Sequence, residues 1–107
     1  MTDGPNGTAD MKTAPLTISV TIVHPQGIHL RVGKDLAYVA NRFESTATAR
    51  NLTLSTPAVD LKSILQIMRL QARIGHVIQL TTDGPDAEEA IAALRTVLEC
   101  PRQNNHQ

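Results

Sequence analysis

"LTISVTIVHPQGIHLRVGKDLAYVANRF", residues 16–43, is the stretch whose reading decides the fold. Leu16, Ile18, Val20 and Ile22 alternate with Thr17, Ser19 and Thr21. That period of two predicts a strand with one buried and one wet face. Pro25 and Gly27 then turn the chain. Beyond the turn Leu30, Gly33, Leu36, Ala37, Ala40 and Phe43 recur at threes and fours, which predicts a helix with those residues on its apolar stripe. Gly33 weakens such a helix by about 1 kcal/mol relative to Ala, yet lets a neighbour approach the backbone closely. With the helix starting near Leu30, His29 falls at its N-cap.

The remaining elements follow outward from this unit. "STATARNLTLSTPAV" is broken at Asn51 and Pro57 and predicts two short strands with a turn between them. "DLKSILQIMRL", residues 60–70, predicts a short helix capped by Asp60. "HVIQLTT", residues 76–82, predicts a fourth strand. "DGPDAEEAIAALRTVLEC" predicts the clearest helix, with Asp86, Glu88 and Glu89 in its first turn. Ala87, Ala90, Ile91, Leu94 and Leu98 lie on one stripe, and Pro101 follows its end. The order β-α-β-β-α-β-α predicts an α+β fold, an open-faced two-layer sandwich in which three helices cover one face of a four-stranded antiparallel sheet. Residues 15–100 form the domain. Residues 1–14 are expected to be a disordered leader, polar and without periodicity, and residues 101–107 a polar tail.

A length of 107 residues holds one core. The ten basic and ten acidic residues cancel, and Tyr38 and Phe43 are the only aromatics. This excludes a basic or stacking platform for nucleic acid. No apolar run approaches the roughly 20 residues that span a bilayer, and no signal peptide is visible, so a cytoplasmic protein is expected. The single Cys100 has no internal partner for a disulfide. His24, His29, His76 and His106 lack ligand spacing, so no metal and no cofactor are expected.

At an N-cap, His29 lies beside main-chain amides that have no intrahelical partner. Such a terminus attracts anions, and the Arg31 fork suits a phosphate or carboxylate. Imidazole titrates near neutral pH and acts as a nucleophile without a strong base. The arrangement fits a histidine that accepts a phosphoryl group. From spacing alone the alternative is a solvated turn histidine beside an arginine that covers apolar surface.

Two further features bear on partners. A helix over residues 60–70 buries one stripe. With Leu61, Ile67 and Leu70 inward, Ile64, Leu65 and Met68 are left as an exposed apolar group suited to docking; the alternative is a short helix buried all round. Ser63 is either a tolerated first-turn serine or a modification site, where a phosphate would sit at a helix N-terminus.

"GIHLR" resembles the phosphorylation-site signature of the HPr family, the histidine-containing phosphocarriers of the bacterial phosphoenolpyruvate-dependent sugar phosphotransferase system, written G-x-H-x-R-P. "DLKSILQIMRL" resembles that family's second stretch, in which a Lys-Ser pair opens a short helix, and "DGPDAEEAIAAL" resembles its final helix. The resemblance implies that His29 receives phosphate on Nδ1 from phosphorylated enzyme I, assisted by Arg31, and passes it to an enzyme IIA. It implies a monomeric carrier that turns over no small substrate. Ser63 matches the serine modified in relatives by HPr kinase/phosphorylase, and Ile64, Leu65 and Met68 match the partner-binding surface. Val32 stands where the motif has proline, adding an amide donor and loosening the helix entry. The alternative function is an HPr-like regulatory interaction protein, controlled at Ser63 and with little or no phosphotransfer.

Overall fold

The structure is a computed structural model that describes residues 14–99. The tail, Cys100 and all of the expected leader except Ala14 lie outside the described residues. Along the chain run β1 (Leu16–Thr21), α1 (Leu30–Ala40), β2 (Thr46–Asn51), β3 (Val59–Asp60), α2 (Ile64–Ile67, continuing as a 3₁₀ turn over Met68–Leu70), β4 (Val77–Asp83) and α3 (Ala87–Glu99). The sheet order is β1-β4-β2-β3 and every pairing is antiparallel. This is the β-α-β-β-α-β-α open-faced sandwich that the periodicities predict.

Register explains why one face is dry. Val20 pairs with Ile78 and Ile18 with Leu80 across β1 and β4. Ala47, Ala49 and Asn51 oppose Thr82, Leu80 and Ile78 across β2 and β4. Because side chains alternate strictly, these residues fall together on the helix side. There α1 buries Val32, Gly33, Leu36, Ala37 and Ala40, while α3 buries the predicted Ala87, Ala90, Ile91, Leu94 and Leu98. Each fully buried leucine or isoleucine contributes about 1.5–3 kcal/mol. The opposite face carries exposed Thr17 and Ser19, with the Thr17 and Thr81 hydroxyls 3.1 Å apart.

Four expectations need correction, the first being Phe43, which lies beyond the end of α1 at Ala40 and not on its stripe. Leu30 is not on the buried stripe but 59% exposed, and Val32 occupies the inner position at 4%. Leu30 lies only about 20° round the helix from buried Ala37, but it is the first residue of α1, and a side chain there leans back past the helix start rather than onto the core. Asp60 does not cap the short helix; it is the last residue of β3, opposite Thr48. Its carboxylate instead accepts the Lys62 amide at 2.9 Å, a local turn, and the cap is Ser63. The consequence is that Ser63 is no first-turn residue, and the helix starts three residues later than predicted.

Among the described residues no helix is long and apolar enough to cross a membrane.

Candidate functional site

The site begins with the turn that delivers the chain from β1 to α1. Gly27 adopts a positive φ of 68°, and its amide donates to the His24 carbonyl at 2.9 Å. A β-carbon at Gly27 would lie 2.2 Å from the Ala72 carbonyl oxygen, so only glycine fits. Ile28 then donates its amide to that same oxygen at 3.0 Å. His24 is buried, with Nε2 3.1 Å from the Val97 carbonyl oxygen, which ties the turn to α3. The approach to His29 is thus pinned on both sides.

His29 is the N-cap of α1, with extended backbone at φ −87° and ψ −177°. Its carbonyl accepts the Gly33 amide at 2.9 Å, the first turn of the helix. Its ring is half-buried and makes no capping hydrogen bond. Among the described residues, the amides of Leu30, Arg31 and Val32 donate to no protein acceptor. They are the orphan donors of a helix start, beside an imidazole with both nitrogens uncommitted. Arg31 is exposed and, among the described residues, in no ion pair. Val32 holds the first helical turn by burying its side chain in the core, and its backbone keeps the N–H that proline lacks.

The second stretch adjoins this terminus. Ser63 caps α2 with φ −120° and ψ 115°, its hydroxyl accepting the Gln66 amide at 3.3 Å. Lys62 donates from Nζ to the Phe43 carbonyl at 2.9 Å, and Asn41 donates from Nδ2 to the carbonyls of both Ala37 and Lys62. These bonds stitch the end of α1 to the start of α2. Gly33 completes the contact, because a β-carbon there would lie 2.6 Å from the Met68 methyl. Met68 therefore packs over the turn that follows His29. Leu61, Ile67 and Leu70 point inward with no exposure, while Ile64 is 36% and Leu65 81% exposed, and Met68 is half-buried. Leu30, at the start of α1, is a further exposed apolar side chain.

His24, His76 and Asp86, which precedes α3, are committed to other contacts. His76 Nδ1 accepts hydrogen bonds from Asn51 Nδ2 at 3.0 Å and from the Arg73 amide at 3.2 Å. Among the described residues there is no cluster of three or more metal-ligating side chains. Asp86 accepts the amides of Glu44 and Ser45 at 3.0 and 2.9 Å, and the Ser45 hydroxyl at 2.5 Å. The Ser45 hydroxyl foremost, then the Glu44 amide, holds its carboxyl below the usual carboxylate range. Sequence patterning missed this clamp, as it missed the bonds from Asn41 to Lys62 and from Lys62 to Phe43, because these join residues far apart in the chain.

Comparison with known proteins identifies the family. The family model described as "PTS HPr component phosphorylation site" matches residues 16–99. The chain is 37% identical over 78 residues to the phosphocarrier protein HPr of Cupriavidus necator, covering 73% of this chain and 84% of that protein. It is 36% identical over 78 residues to the multiphosphoryl transfer protein of Vibrio cholerae, again 73% of this chain but only 20% of that larger protein. The crystal structure of a phosphocarrier protein HPr from Bacillus anthracis superimposes with a TM-score of 0.74 at 31% identity, over 80% of this chain and 99% of that one. With a family match running from β1 to the end of α3 and relatives above 30% identity over most of their length, the chain belongs to the HPr family of phosphocarriers of the phosphotransferase system.

Proposed function

We propose that this protein carries a phosphoryl group on His29, accepting it from phosphorylated enzyme I and donating it to an enzyme IIA. The observation that carries this reading is the N-cap histidine beside three unpaired main-chain amides. In the forward step the Nδ1 lone pair attacks phosphorus, the N–P bond forms, and the donor–phosphorus bond breaks with its electron pair returning to the donor. This requires neutral imidazole with its proton on Nε2. The three phosphoryl oxygens then take hydrogen bonds from the Leu30, Arg31 and Val32 amides, and the Arg31 guanidinium adds charge. Hydrogen bonds to a charged group contribute about 1.5–3 kcal/mol each. An open helix terminus holds the group in place yet allows a second protein to approach, so transfer is reversible.

Ile64, Leu65 and Met68, with Leu30, form the docking surface for donor and acceptor. Phosphorylation of Ser63 by an HPr kinase/phosphorylase would set nearly two negative charges beside this apolar group and weaken docking without touching His29. The protein works as a cytoplasmic monomer without a cofactor. Incubation with phosphoenolpyruvate and enzyme I tests the reading. One added phosphate is expected, lost in mild acid and absent in His29→Ala. No incorporation, or equal incorporation in the variant, overturns it.

A further inference from the structure

A cleft separate from the amides at the start of α1 is lined by Gln26, Leu54, Gln71, Ala72, Arg73 and His76. We propose that it binds a small phosphate ester bearing hydroxyl groups.

Donors dominate its lining. Because His76 Nδ1 already accepts from Asn51 Nδ2 and the Arg73 amide, neither of which is able to accept, the ring proton must sit on Nε2. The Nε2–H is left without a protein acceptor among the described residues. Arg73 is exposed and, among the described residues, in no ion pair; no acidic side chain lines the cleft. Two guanidinium N–H groups and one imidazole N–H match the three terminal oxygens of a phosphate better than the two of a carboxylate. The amides of Gln26 and Gln71 both donate and accept, which suits hydroxyl groups. Leu54, 46% exposed, supplies an apolar wall for a carbon skeleton.

Gln71 gives independent support. It adopts left-handed backbone, φ 50° and ψ 38°, as it ends the 3₁₀ turn. Glycine takes that conformation without penalty. A long amide side chain kept at a strained position on the rim of a cleft points to a use for that side chain. The cleft is open, so affinity is expected in the millimolar range. Its wall is also read out next to the carrier site, because Ile28 donates its amide to Ala72. Binding as such does not depend on phosphotransfer by His29.

The test is titration of the isotope-labelled full chain with glycerol 3-phosphate, glycerol and inorganic phosphate, followed by amide chemical shifts. Glycerol 3-phosphate is expected to move Gln26, Ile28, Leu54, Ala72, Arg73 and His76 and the side-chain amides of Gln26 and Gln71, while glycerol moves none. Inorganic phosphate should bind about tenfold more weakly, and Arg73→Gln should weaken the ester about tenfold or more. Gln71→Gly should weaken binding while raising the melting temperature, a pairing that a merely structural glutamine would not produce. The proposal is overturned by no shifts at about 20 mM ester, by shifts confined to Leu30–Val32, by equal affinity for inorganic phosphate, or by indifference to Arg73→Gln.

Discussion

Replacing Gly27 by alanine tests how firmly the turn before His29 is held. Two costs arise. The positive φ of 68° is a conformation that costs an L-residue roughly 1–2 kcal/mol. The new β-carbon would also stand 2.2 Å from the Ala72 oxygen, 2.8 Å from the Arg73 α-carbon and 3.0 Å from the Ala72 carbonyl carbon. All three are backbone atoms, so relief requires residues 72 and 73 to move and the Ile28–Ala72 hydrogen bond to break, about 1–3 kcal/mol more. Gly75→Ala is the control, since its φ of 88° carries the first cost while nothing lies within 4 Å of the added carbon. Urea denaturation should therefore show Gly27→Ala destabilised by about 3 kcal/mol and Gly75→Ala by about 1–2 kcal/mol. With a slope near 1.5 kcal/mol/M, the midpoints fall by about 2 M and about 1 M. Equal losses, within about 0.5 kcal/mol, would refute the claim that the 72–73 backbone clamps the turn.

Other consequences are more local. Ser63→Ala should lose about 1 kcal/mol with its cap, whereas Ser63→Asp should keep the stability, as aspartate caps well, yet weaken enzyme I binding; denaturation and calorimetric titration separate the two effects, and unchanged affinity in the aspartate variant removes the switch. Leu65→Ala should leave stability within about 0.5 kcal/mol because that side chain is 81% exposed, and should weaken partner binding. Leu70→Ala, at a fully buried position, should cost about 2–5 kcal/mol in the same denaturation assay. Asp86 has its pKa lowered from the ordinary 3.8, so below that range the unfolded chain binds more protons than the folded one. Its contribution should be complete above about pH 5 and lost as pH falls through the lower folded value; a stability–pH profile that is as steep in Asp86→Asn would contradict this.

Much of the fold is legible because β1 and α3 bury their residues at the spacings that the sequence shows. Leu30 satisfies the helical spacing to Gly33 and Ala37, but spacing does not show that the helix begins at Leu30 itself, where the side chain falls beyond the end of the core. Asp60 and Ser63 are both good caps, and what decides between them is the pairing of Asp60 with Thr48, twelve residues away and invisible to local patterning. His29 at a helix start was legible from the turn signals at Pro25 and Gly27, and the free amides follow from the helix start itself. The clamp from Asp86 to Ser45 spans 41 residues, and the Gly27–Ala72 contact 45, so neither leaves a local signature.

The amide spectrum of the chain before and after phosphorylation by enzyme I is the most direct test. The account predicts a covalent N–P bond at His29 Nδ1 and large downfield shifts of the Leu30, Arg31 and Val32 amide protons as they turn to the phosphoryl oxygens. Phosphorus bonded to another residue, or those three amides unmoved in the phosphorylated protein, would contradict it.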